Sequence, residues 1–96
     1  MRLVALIGER ALLKSAHTHQ YQQLLRLLVD ARKAAGLTQV ALAKRLSRPQ
    51  SFVSKYERGE RRLDVVEFAE VAQALDADPI ALLRTLLAST GRRARK

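Results

Sequence analysis

The segment from Thr38 to Gly59, TQVALAKRLSRPQSFVSKYERG, holds two short runs of helical apolar spacing with only about three residues between them. A link that short leaves the two helices one option, which is to cross closely and share a core. In the first run Leu42 and Leu46 fall on one face, and Ala43 presents only a methyl where the second helix has to approach. In the second run Phe52, Val53 and Tyr56 are the apolar positions. Gln50, Ser51, Ser54 and Lys55 then put hydrogen-bond donors and acceptors on the exposed side. A helix that needs only to be solvated carries Glu and Lys there more often than Gln and Ser.

The flanking sequence is punctuated in the same way. Tyr21, Leu24, Leu25, Leu28, Ala31, Arg32 and Ala35 keep helical spacing, which predicts a helix over Gln20 to Ala35 with Gly36 as a left-handed terminator. Thr38 is the N-cap of the next helix, which runs through Leu46. After the turn at Ser47-Arg48, Pro49 opens a third helix through Arg58, and Gly59 ends it. Asp64 with Glu67 three residues on predicts a capping box and a helix through Leu75. Asp78-Pro79 starts a fifth helix carrying Ile80, Leu82, Leu83, Leu86 and Leu87. Five helices with short connections and no convincing strand predict an all-α bundle. We divide the chain into an N-terminal extension (1–19), the helical domain (20–88) and a basic tail (89–96) expected to be disordered. Within the extension, Leu3 to Ile7 suit a strand and Glu9 to Ser15 an irregular helix.

Ninety-six residues suffice for one core and not two. The absence of cysteine excludes disulfides, thiolate chemistry and thiolate zinc sites, and fits a cytoplasmic location. The apolar runs fall well short of the roughly 20 residues a membrane helix needs, and the start lacks the long apolar region of a secretory signal. His17 and His19, with no acidic or thiol neighbour, make a poor metal site. No paired carboxylates, nor a nucleophile with its base, can be assigned, so neither an enzyme nor a cofactor is expected.

The net charge of +9 favours a polyanionic partner. Its distribution is sharper than its size. From Lys44 to Arg62 seven basic residues face two acidic ones, a net +5, whereas from Asp64 to Ala88 the balance is −4. The positive field therefore belongs to the two crossing helices and not to the whole surface.

Together, Arg32, Gly36-Leu37-Thr38-Gln39, Ala43, Leu46, Val53-Ser54 and Tyr56-Glu57-Arg58-Gly59 resemble the phage Cro and repressor-type helix-turn-helix family, also called the XRE family. The likeness covers about Tyr21 to Leu87 and implies a five-helix, lambda-repressor-like fold that binds double-stranded DNA. It implies that Gln50, Ser51, Ser54 and Lys55 face bases in the major groove. Gln is suited to adenine and Lys to guanine, each good pair giving about 1 to 3 kcal/mol of discrimination. It further implies that Gln39, Arg48, Arg58 and Arg62 contact the DNA backbone, and that Arg32 and Glu57 form a buried structural salt bridge. Where the family usually has a turn glycine this chain has Ser47. A left-handed conformation there costs about 1 to 2 kcal/mol, so a reshaped turn is expected.

The function expected is therefore a sequence-specific transcriptional regulator, a repressor or antitoxin-type autoregulator, working as a homodimer. A toxin or other regulatory protein is a further expected partner. Leu82, Leu83, Leu86 and Leu87 offer more apolar surface than one face of a terminal helix needs, and the N-terminal segment is the rival interface. The alternative is a helical protein-interaction module of the same fold; the polar, basic face of the third helix argues against it.

Overall fold

A computed structural model of the chain describes the backbone of residues 19–95 and the side chains of residues 19–89. Five helices and no strand are present among the described residues. They are α1 (19–34), α2 (Gln39–Leu46), α3 (Gln50–Glu57), α4 (Val65–Ala74) and α5 (Pro79–Arg95). The strand or helix expected before residue 16 lies outside the described residues. Helix α5 runs through the boundary drawn at residue 88 and continues to Arg95, so the backbone of residues 89–95 is helical where disorder was expected.

The helix starts are made locally. Thr38 Oγ1 accepts from the Ala41 N–H at 3.0 Å. Asp64 Oδ1 accepts from the Glu67 N–H at 2.7 Å while the Asp64 N–H donates to Glu67 Oε1 at 3.0 Å, a reciprocal capping box. Pro49 sits one position earlier than expected. It is the extended N-cap of α3 (φ −68°, ψ 155°), and Gln50 is the first helical residue.

The helix ends share one device. Gly36, Ser47, Gly59 and Asp76, each just beyond one of α1 to α4, all have positive φ. At Ser47 (φ 56°, ψ 42°) the turn is not reshaped. The serine adopts the left-handed conformation, and its N–H donates to the Ala43 and Lys44 carbonyls. A turn this short leaves the chain no other way to reverse, so the tertiary crossing of α2 and α3 overrides the local preference.

The core joins Leu25 and Leu28 of α1, Leu42 and Ala43 of α2, Phe52, Val53 and Tyr56 of α3, and Phe68, Val71 and Leu75 around α4. Helix α2 packs on α3 and α4, and α4 on α5. Leu28, Leu42, Val53, Tyr56 and Val71 are wholly buried, each apolar side chain contributing about 1.5 to 3 kcal/mol. Ala43 is also buried, as a close crossing requires. The fifth-helix leucines divide. Leu86 is buried and Leu82 packs against the core, whereas Leu83 and Leu87 are exposed and join Ile80 in an outward apolar stripe.

Candidate nucleic-acid interface

Helix α3 has two sharply different faces. Phe52, Val53 and Tyr56 are buried, while Gln50, Ser51 and Lys55 are exposed and Ser54 is half-buried. The Ser54 hydroxyl turns back on its own helix, donating to the Ser51 carbonyl at a long 3.4 Å. Tyr56 and Phe52 are inner-face residues, packed edge to face with ring centroids 5.6 Å apart. Burial and the neighbouring Glu57 carboxylate push the Tyr56 phenol pKa upward, so it stays neutral.

A polar chain ties the exposed face to the rest of the bundle. Arg32 Nε and Nη2 donate to the two oxygens of Glu57 at 2.7 and 3.1 Å, and Arg32 Nη1 donates to the Leu37 carbonyl at 2.8 Å. The pair is nearly dry, with side chains 12% and 7% exposed. The bond to Glu57 raises the Arg32 pKa further above its already high value. Gln39 Nε2 donates to Glu57 Oε1 at 2.9 Å, and Gln50 Nε2 donates to Gln39 Oε1 at 3.4 Å. One continuous path thus leads from α1 through the end of α3 and the start of α2 to the first residue of α3.

The basic residues are held less simply than their number suggests. Arg58 is exposed and lies against Glu60, with two bonds of 3.0 Å. Arg62 is exposed with its guanidinium 4.4 Å from the centre of the Tyr21 ring, and the Tyr21 hydroxyl accepts from the Leu63 N–H at 3.0 Å. Arg48 stacks on Phe52, 4.5 Å from the ring centre, and is near Glu67 and Glu70 at 3.9 and 3.7 Å. Arg61 lies 4.8 Å from the same ring and clasps Glu67 with bonds of 3.0 and 2.8 Å. The Arg61 guanidinium, with the Asp64 N–H, holds the Glu67 carboxyl down to about 2. Lys55 forms no ion pair within 4 Å among the described residues.

This geometry has close counterparts. The family described as a helix-turn-helix domain matches residues 23–94. An XRE-family like protein from Pseudomonas syringae pv. tomato str. DC3000 is 57% identical, with a TM-score of 0.79 over 80% of this chain and 94% of its own. The chain belongs to the XRE family of helix-turn-helix proteins. The restriction-modification controller protein C.AhdI from Aeromonas hydrophila is 34% identical, with a TM-score of 0.59 over 65% of this chain and 94% of its own. The clp gene regulator ClgR from Corynebacterium glutamicum is 25% identical, with a TM-score of 0.66 over 79% and 81%. No curated protein matches significantly.

As an XRE-type chain, the protein is a DNA-binding transcriptional regulator. Its helix-turn-helix is formed by α2 and α3, and α2 packs on both α3 and α4. The structure brings Arg32, Gln39, Gln50 and Glu57 into one network. Arg48 lies over Phe52 and near Glu70 of α4 with its side chain 36% exposed, while Arg58 and Arg62 are exposed. The partnership of Arg61 with Phe52 and Glu67 escaped the sequence reading, which counted Arg61 only as charge. The one available signal was Glu67, an acidic residue six positions on at a helix start. Among the described residues no helix is long and apolar enough to cross a membrane.

Proposed function

We propose that α3 enters the major groove of double-stranded DNA and reads a half-site through Gln50, Ser51, Ser54 and Lys55. Gln39, Arg48, Arg58 and Arg62 then engage the phosphate backbone. The observation that carries this reading is the two-sidedness of α3, with a buried aromatic face beneath an exposed row of amide, hydroxyl and ammonium groups. Among the described residues no carboxylate lies within ion-pair distance of Lys55. Gln50 is pre-positioned by Gln39, which lowers the entropy lost when it meets a base edge. Arg58 must exchange Glu60 for phosphate, an exposed pair that costs little to open.

Four base-facing side chains specify too few base pairs to be rare in a genome, so two copies on one operator gain the missing specificity. The outward stripe of Ile80, Leu83 and Leu87 on α5 is the surface that suits a second copy. A dimer presents its recognition helices about 34 to 36 Å apart, one turn of the duplex. The similarity to a controller protein and a gene regulator favours action by promoter occupancy, as repressor or autoregulator in the cytoplasm.

A gel-shift titration over a range of salt tests the assignment. Lys55→Ala relaxes sequence choice, whereas Arg62→Ala weakens all duplexes alike and lowers the salt slope by about one. Equal binding to every duplex, indifferent to Gln50→Ala and Lys55→Ala, overturns it.

A further inference from the structure

At Phe52 α3 is also held by a cluster of side chains that the base-facing residues do not use. Phe52, in the first turn of α3, has two guanidinium groups over its ring, Arg48 at 4.5 Å and Arg61 at 4.8 Å from the ring centre. Both cations converge on Glu67, bidentately from Arg61 and at 3.9 Å from Arg48. Glu67 is in turn the third residue of the α4 capping box, bonded to the Asp64 N–H. The ring of the recognition helix thus meets two guanidinium groups, one bonded to and the other near a residue at the start of another helix. Aliphatic contacts allow a helix to roll; a stacked and doubly hydrogen-bonded arrangement specifies one orientation.

We propose that the Arg48–Phe52–Arg61 stack sets the angle at which α3 meets the bases, which makes Phe52 and Arg61 positioning residues for sequence discrimination. This rests on the reading that α3 contacts bases. Gln50 and Ser51 immediately precede Phe52, so any roll about Phe52 displaces the atoms that must align with base edges. Phosphate contacts tolerate that displacement far better, because a point charge near a charged backbone is not directional. The stack therefore acts on the preference for one sequence over others and leaves general affinity for DNA in place.

The test compares binding to a selected duplex with binding to a scrambled duplex of equal length, at one salt concentration, for the full chain. Phe52→Leu keeps an apolar side chain in the core but removes the ring face. Arg61→Lys keeps the charge but loses both the planar stack and the fork on Glu67. Each lowers the selected-to-scrambled ratio about tenfold with scrambled-duplex affinity within twofold of the original. Phe52→Tyr, which restores a ring face, recovers most of the ratio. Arg61→Lys is a half-exposed change that keeps the test usable if Phe52→Leu fails to fold. An unchanged ratio in Arg61→Lys overturns the proposal, as does a parallel loss on both duplexes, which marks Arg61 as a phosphate contact. If the unmodified protein prefers no sequence at all, base reading by α3 falls and the positioning role falls with it.

Discussion

Removing the Glu57 carboxylate isolates the part of the structure that joins fold to DNA reading. In Glu57→Ala, Arg32 loses two charge-assisted bonds, of 2.7 and 3.1 Å, and Gln39 loses its 2.9 Å acceptor. The Arg32 side chain is only 12% exposed, so its charge is left largely unpaired out of water. Breaking one side of a buried pair costs about 3 to 5 kcal/mol. The lower end applies, because Arg32 keeps its bond to the Leu37 carbonyl. About 3 kcal/mol in a domain of this size lowers Tm by about 12 to 24 °C. The double variant Arg32→Met/Glu57→Leu removes both charges and replaces them with apolar volume, so it recovers to within about 1 kcal/mol of the original protein. Thermal unfolding followed by circular dichroism measures both. A single variant within 1 kcal/mol of the original refutes the claim that the pair is buried and coupled. A double variant no better than the single refutes the unpaired charge as the cause. The stable double variant still discriminates duplexes poorly, because the Gln39–Gln50 link has lost its anchor.

Ser47→Gly removes a Cβ from a left-handed residue, a gain of about 1 to 2 kcal/mol set against the greater freedom of glycine in the unfolded chain. A net rise in Tm of about 2 to 6 °C is expected, and a fall in Tm contradicts the turn geometry. Glu67 contributes through protonation. Its carboxyl titrates at about 2 in the folded protein, well below the ordinary glutamate value of about 4.3. The stability it confers is present above about pH 4.3 and is lost as the pH falls toward 2. In urea unfolding, Glu67→Gln is therefore less stable than the original at pH 7, and the gap narrows by pH 3. A gap of equal size at both pH values contradicts the ion pair as its source.

The bundle was legible in the sequence wherever a local rule had no competitor. Thr38, Asp64 and the Asp78-Pro79 start each act on the next turn of chain, and the helices begin where these residues place them. Ser47 was legible as a conflict but not in its outcome, because local sterics argue for a reshaped turn while the crossing of α2 and α3 demands the left-handed one. Asp76, which ends α4 in the same way, carried no comparable signal. The division of the α5 leucines depends on which side of the helix turns to the core, a matter of helix rotation that spacing alone leaves open. Among the site residues, Arg32 and Glu57, 25 positions apart, could be paired only through the family pattern, and the bond between Gln39 and Gln50, 11 positions apart, had no sequence signal. The contacts of Arg48 and Arg61 with Phe52 resisted reading because a basic residue near a basic surface carries no sequence mark of an aromatic neighbour. Only the three-dimensional approach of these two connecting-segment arginines to the ring reveals it.

The central claim, that the exposed row of α3 reads bases, is tested most directly by selecting bound sequences from a random duplex pool. The protein and its Gln50→Ala and Lys55→Ala variants are taken through the same selection. The unmodified protein is expected to enrich one motif, repeated with inverted symmetry and with half-sites about one helical turn apart. Each variant is expected to lose preference at one position of the half-site and keep the rest. A pool that stays random, or a motif unchanged by both substitutions, contradicts the account.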